Sequence, residues 1–353
     1  MNVNNPTMRD SRIEAFRIVL MWGIVSYHLL IHGLPGTRGI PACSATLNLL
    51  HVAVPCFVLL SGWFGIRPSI RGFVRLWFLV FFYGMLELSF ALCSGVPVDW
   101  KQALRFAFPL FGSRWWFFTT YLSLYLVSPI LNAFLGKSCP RSVWGAILAL
   151  FAIAFWFKLG TAGGELSKQS GLALFSALYL LGSRLHAIRS AEVPSPLPFR
   201  RPIATLLVLT PLSIVFGWLA PASSAFARAN GILFFRYNSP GLVLLAACIT
   251  QVVLAPHGDW HSQFVNRIAA SVFPVYLLHE ANPTFSPWLY ETFRSCALDR
   301  QPSAVIGLAL LFGLSILLAS MAVDQLLRPV HTGLSTSLAN AIGKIKRRPE
   351  REA

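Results

Sequence analysis

Three observations predict an all-α, polytopic membrane helical bundle of about ten transmembrane helices with both termini cytoplasmic. Of the 353 residues, 55% are hydrophobic and only 12% charged, with a mean hydropathy of +0.62. A soluble domain carries about a quarter charged residues. Apolar runs long enough for helices of about 30 Å recur from one end of the chain to the other. Finally, about 19 Lys and Arg fall on the N-terminal side of the spans against about 9 on the other, the positive-inside bias. A globule with one anchor is excluded. The net charge of +16 follows from that bias, so no nucleic-acid partner is expected.

The first span is Ile13–Leu34, IEAFRIVLMWGIVSYHLLIHGL, with Glu14, Arg17 and His28 inside an otherwise apolar run. At about 100° per residue Glu14, Arg17, Met21, Ile24, His28 and His32 share one face, which can look into the bundle. The polar start of the chain, the length of this run and the lack of a small-residue cleavage site make it a retained span and not a signal peptide. Hydropathy then places Leu47–Ile66, Phe73–Ser94, Trp115–Leu135, Val143–Gly160, Gly171–Leu185, Ile203–Leu219, Gly241–Ala255, a short Ile268–Leu278, and Ser303–Leu327. Phe106–Phe111 is too short to span and is read as interfacial. The chain thus divides into a cytoplasmic segment (1–12), a membrane domain (13–327) and a basic cytoplasmic tail (328–353) ending KIKRRPERE, suited to lipid headgroups. The six cysteines form no CxxC pair, so no metal site is expected; Cys43 and Cys296 could share the outer face and pair.

Five motifs carry chemistry. Arg17-x10-His28 spans three helical turns, so both side chains lie nearly in register. An imidazole there is either a hydrogen-bonding structural group or a base for a hydroxyl nucleophile. Arg17 and Glu14 either pair near the headgroups or serve the same site. Arg67, Arg71 and Arg75, each four apart after the second span, make one cationic stripe if Pro68 opens a helix. It serves positive-inside anchoring or bidentate phosphate binding. In Pro55-Cys56-Phe57-Val58-Leu59-Leu60-Ser61-Gly62, the small Ser61 and Gly62 favour close helix packing over nucleophilic chemistry, since no Gly-x-Ser-x-Gly elbow surrounds Ser61. Arg114-Trp115-Trp116-Phe117-Phe118, with Tyr121 and Tyr125, reads as an aromatic belt or a sugar-stacking mouth. Val275-Tyr276-Leu277-Leu278-His279-Glu280 offers a second histidine and a carboxylate; His257 and His261 read as solvated.

Taken together these segments resemble the membrane acyltransferase-3 family, whose members O-acylate sugars of surface polysaccharides, lipopolysaccharide and peptidoglycan. Arg12-x-Glu14-x-x-Arg17 and His28 are similar to its acidic-x-x-Arg opening and Arg-x10-His signature. Pro55 to Gly62 is similar to its second helix, Trp115-x-Phe117 with Tyr121, Tyr125, Pro129 and Asn132 to its WFL…YL…P helix, and Tyr276 to His279 to its YLLH helix. Two departures stand out: Glu14 where the family often has Asp, and Arg71 and Arg75 separated by three residues where it often has Arg-x-x-Arg.

The resemblance implies an acyl-CoA donor, acetyl-CoA first among them, and a sugar or lipid-linked glycan acceptor, in a bacterial inner or plasma membrane with membrane lipids as surroundings. By the same carry-over His28 is the general base, Arg17 stabilises the thioester oxyanion or positions the donor, and Glu14 orients Arg17. Arg67, Arg71 and Arg75 grip the anionic donor, while Trp115, Trp116, Tyr121 and His279 bind substrate. No hydrolase-like domain follows the last helix, so transfer is completed by the membrane domain or by a separate partner protein. The competing expectation is a transporter of a small organic anion or glycan, with Arg17, Glu87 and His28 along its path.

Overall fold

The computed structural model describes residues 10–108, 115–159, 166–190, 200–255, 260–280 and 285–347. The expectations for residues 1–9, the end of Phe106–Phe111, Arg114, His257 and the last residues of the tail lie outside the described residues. The described residues contain helices and no strand.

Helix α1 (Ser11–His28) starts at Asp10, whose carboxylate accepts from Arg12 N–H at 3.0 Å and from its guanidinium at 2.6 Å. It runs directly into a π-helical turn, Leu29–Gly33. The next span is α2 (Pro41–Leu50) and α3 (Ala53–Phe64), joined by a turn at His51 and Val52. Then come α4 (Ile70–Cys93), the short α5 (Trp100–Ala107), α6 (Trp116–Lys137), α7 (Pro140–Leu159), α8 (Leu166–Ser190) and α9 (Arg200–Leu219). After α10 (Ser224–Asn230) and α11 (Pro240–Val253) the chain makes two short helices, α12 (Gln263–Ala269) and α13 (Val272–His279). It closes with α14 (Phe285–Ala297) and the 46-residue α15 (Pro302–Arg347).

Among the described residues eight helical stretches are long and apolar enough to cross a membrane, and Pro140–Phe155 is a shorter apolar one. Nine of the expected spans have a counterpart there. The tenth, Ile268–Leu278, is not one helix. The backbone breaks at Ala270 and Ser271 between α12 and α13. Irregular backbone inside a membrane domain persists only where protein or a cavity satisfies its polar groups. Here Gln325 Nε2 donates to Ser271 Oγ (2.6 Å) and to Arg267 O (3.1 Å), and Arg328 Nη1 donates to the same carbonyl (3.1 Å). Another departure is the tail: α15 does not stop at Leu327 but continues to Arg347, about 69 Å in all and twice the hydrocarbon thickness.

Close packing explains the small residues of the second motif. A Cβ on Gly62 would overlap the Tyr179 carbonyl, and one on Gly182 the Leu59 carbonyl, so α3 and α8 meet backbone to backbone. The Cys43–Cys296 pairing is overturned: both thiols are free. Cys43 is fully buried in the core and Cys296 is exposed on α14, so they do not share a surface.

Candidate active site

Helices α1, α3, α4, α6 and α13 line a cavity of about 660 Å³. Along α1 the face read from the sequence, Glu14, Arg17, Met21, Ile24 and His28, forms one wall. Opposite it stand Phe57, Leu60 and Ser61 of α3, Trp116, Phe117 and Tyr121 of α6, and Phe273 and Tyr276 of α13. Arg17 sits toward the N-terminal side of the bundle; His28 lies three turns deeper, about 16 Å along the axis.

At the mouth, Arg17 Nη1 donates to Glu14 Oε2 at 2.9 Å, with Glu14 nearly buried and Arg17 one-third exposed. The rim is the link from Gly65 to Ser69. Tyr179 OH accepts from Ile66 N–H and donates to Asn132 Oδ1 (3.0 and 2.6 Å), while Asn132 Nδ2 donates to Ile66 O (2.8 Å). Tyr125 OH accepts from Ser69 N–H at 2.8 Å. The late polar residues of α6, Tyr125 and Asn132, therefore shape the rim of the cavity.

The deep end is a cluster of two histidines and a carboxylate. Helix α13 stops at His279 and the chain turns into extended backbone at Glu280. Two side chains hold that turn: Trp115, fully buried, donates Nε1–H to Glu280 O at 3.1 Å, and Ser286 Oγ donates to His279 O at 2.8 Å. The turn brings Glu280 Oε2 to 2.9 Å from His28 Nδ1, and His279 Nε2 to 3.0 Å from the same atom. Tyr290 OH donates to Glu280 Oε2 at 3.5 Å.

The partners fix the tautomers. His279 Nδ1 faces only the Val275 carbonyl, at 2.6 Å, so it carries the proton and Nε2 is an acceptor. His28 Nδ1 then meets two acceptors and must be a donor. Its Nε2 has no hydrogen-bond partner among the described residues, so it keeps the lone pair on a side chain that lines the cavity. Close by, the Tyr276 hydroxyl is buried on the cavity wall beside the Phe117 backbone, with no well-formed hydrogen bond among the described residues. His28, His279 and Glu280 also offer three ligand atoms within 4.8 Å of one another, a spacing that could hold a metal ion. The hydrogen bonds just described account for all three atoms without one.

This cavity, polar at its mouth, apolar along its length and ending in a carboxylate-held imidazole, takes its lining from residues between Asp10 and Tyr276. The family described as an acyltransferase domain matches residues 10–323. The chain belongs to the membrane acyltransferase-3 family. It is a multi-pass membrane acyltransferase. No curated protein and no solved structure matches it.

In this acyltransferase the structure brings together His28, His279, Trp116 and Tyr121 on or beside the cavity, with Glu14 and Arg17 at its mouth. Trp115 is not part of an interfacial belt; it is a buried brace for Glu280. The three arginines do not form one helical stripe. Arg67 lies in the link before Pro68, where helical backbone is disfavoured, and α4 begins only after the Ser69 cap, with Arg71 and Arg75 on it. All three are exposed and outside the cavity wall, although their neighbours Ile66 and Gly72 are part of it. Ser61 lines the cavity but donates to Phe57 O at 3.0 Å within its own helix. Glu280 was legible as a carboxylate beside a histidine, not as the partner of His28, because the two are 252 positions apart in sequence.

Proposed function

We propose that this acyltransferase moves an acyl group, acetyl in the simplest case, from acyl-CoA to a hydroxyl of a sugar in a lipid-linked or cell-surface glycan. The observation that carries the reading is the state of His28: Nδ1–H is committed to Glu280 and His279, and Nε2 is left as a base at the end of the cavity. The donor enters from the N-terminal side, which the arginine count makes cytoplasmic. Its thioester reaches His28 through the apolar part of the cavity, and its phosphates stay at the mouth near Arg17.

The acceptor oxygen attacks the thioester carbonyl carbon as His28 Nε2 takes the hydroxyl proton. Glu280 holds Nδ1–H and stabilises the imidazolium, the orienting role of a carboxylate in a nucleophile–base–acid relay. The Tyr276 hydroxyl donates to the developing oxyanion. Collapse breaks the C–S bond, and the proton on Nε2 passes to the leaving sulfur, giving an ester and free coenzyme A. Arg17, about 16 Å from His28, is too remote to meet that oxyanion. Of its two expected roles only positioning of the donor is retained, with Glu14 orienting it. Arg67, Arg71 and Arg75 supply positive charge around the rim. The transporter reading placed Glu87 on a path with Arg17 and His28; Glu87 is buried and is not among the residues that line the cavity with them.

The test uses purified protein in lipid, radiolabelled acetyl-CoA and a pool of membrane glycolipids. Label moves to glycan with wild type and not with His28→Ala. Absence of coenzyme A binding by wild type, with gradient-driven flux in vesicles, sinks the reading.

A further inference from the structure

A second pocket, of about 610 Å³, lies on the N-terminal side of the bundle between α12 and α15. It owes its shape to the broken span. Because α12 ends at Ala269, the carbonyl of Arg267 is left for a side chain, and Arg328 reaches across from α15 to bond it at 3.1 Å. Arg267 Nε in turn donates to Gln325 Oε1 at 3.2 Å. Two guanidinium groups are thereby fixed over one helical turn. Among the described residues no carboxylate lies within ion-pair distance of either. Thr332, Gln263 and Asn266 complete a polar lining. Fixed guanidinium forks without an acidic partner match the oxygens of a phosphate, and each uses only part of its five N–H donors on protein.

The surface beside the pocket says which phosphate. On the pocket face of α15, starting seven residues before Gln325 and running toward the start of the helix, Leu318, Leu314 and Leu311 are exposed at four- and three-residue spacing, and Phe264, next to Gln263 of the pocket, is 71% exposed. A soluble anion has no use for that apolar strip. A phospholipid does: its head lies at the membrane surface while its chains run along the helix toward the bilayer centre. We propose that the pocket between α12 and α15 is a binding site for the phosphate of an anionic phospholipid of the cytoplasmic leaflet, with its acyl chains along Leu318, Leu314 and Leu311. This site stands apart from the cavity of His28 and does not depend on the acyl donor. It would clamp α15 to α12, and so steady the break from which α13 carries His279 and Glu280.

The experiment compares the full chain in nanodiscs of phosphatidylcholine alone and of phosphatidylcholine with phosphatidylglycerol, reading Tm and bound lipid by native mass spectrometry. Wild type gains Tm in the anionic discs and retains phosphatidylglycerol. Arg267→Gln/Arg328→Gln loses that gain, and Arg267→Lys/Arg328→Lys keeps most of it. The readout is the difference between lipids for each variant, so a lower baseline Tm in the Gln pair does not obscure it. An equal gain in wild type and the Gln pair overturns the proposal. So does a gain of the same size from inorganic phosphate or coenzyme A in phosphatidylcholine discs that the Gln pair abolishes, which would make it a free-anion site.

Discussion

Two clusters inside this membrane domain each join a carboxylate to a histidine and a tyrosine. In one, Glu280 Oε2 lies 2.9 Å from His28 and 3.5 Å from Tyr290. In the other, Asp324 Oδ1 accepts from Tyr83 OH at 2.6 Å and lies 3.1 Å from His331 Nε2. Their surroundings differ. Asp324, His331 and Tyr83 sit on two unbroken helices, α15 and α4, and all are less than a tenth exposed. His28 stands where α1 becomes a π-helical turn, and Glu280 stands where α13 ends. Continuous helices can satisfy every polar backbone group and seal a polar cluster between them. Interrupted ones leave an opening, and π-helical turns recur at functional sites for that reason. Residue type alone does not separate a latch from a catalytic group; a cavity reaching one nitrogen does.

The sharpest way to break this comparison is to remove each histidine's function in turn. His28→Ala should lower acyl transfer by about 10³-fold or more per folded molecule, because general-base catalysis is worth about 10²–10⁴, with a Tm loss that reflects the partner removed from Glu280. Activity and Tm measured on one preparation decide it. An active His28→Ala enzyme would make the open cluster as structural as the sealed one.

That difference marks how far the sequence could be read. Arg17, His28 and the face joining them were legible because a single helix encodes them, and three turns of spacing suffice. Gly62 was legible as a close-packing residue for the same local reason. The Glu280–His28 pair was not, since it depends on where α13 stops, which Trp115 and Ser286 decide from other elements. The break at Ser271 was hidden because Ile268–Leu278 is apolar enough to pass for a short span. Asp324 and His331 carry no such signal: they lie seven apart on either side of Leu327, where hydropathy ends the last span. The kept helix, with both residues facing α4, appears only in three dimensions.

Next in size is a matched pair of carboxylate substitutions. Glu280→Gln keeps the shape but removes the charge that stabilises the His28 imidazolium, so transfer falls by about 10²-fold or more. Asp324→Asn makes the same chemical change in the sealed cluster. It should cost about 1–3 kcal/mol of stability through a weakened buried network, and leave transfer within about twofold of wild type once corrected for folded protein. Thermal unfolding and initial rates on both variants separate the two columns. A catalytic loss in Asp324→Asn with unchanged Tm would show that the sealed cluster is coupled to the site.

A smaller effect is expected outside both clusters, at the start of α1. The Arg12 guanidinium bonded to Asp10 holds its carboxyl below the usual carboxylate value. A depressed folded value means the stabilisation is present above the ordinary carboxylate range and is lost as pH falls through the depressed one. Asp10→Ala should therefore cost about 1 kcal/mol at neutral pH, the worth of a cap. Asp10→Asn, which still caps, should cost about 0.2–1 kcal/mol, the worth of an exposed pair. The gap between wild type and either variant should narrow in Tm measurements below the carboxylate range. A gap that widens on acidification would contradict the Asp10–Arg12 assignment.

The last expectation is of no effect, and it tests the comparison from the side of coordination chemistry. The open cluster presents three ligand atoms within 4.8 Å, His28 and His279 nitrogens and a Glu280 oxygen, while the sealed one joins a single histidine to a single carboxylate. If a bound cation organised the open cluster, His28 Nδ1 would be a ligand and lose its proton to the metal. The hydrogen bond to Glu280 that orients the base would then not exist. The pattern of acceptors around Nδ1 argues for the proton. Dialysis against EDTA should therefore leave acyl transfer unchanged, and elemental analysis of active protein should find no stoichiometric transition metal. Loss of transfer on chelation, restored by adding back one divalent ion, would replace the imidazole base with a metal site on the same three residues.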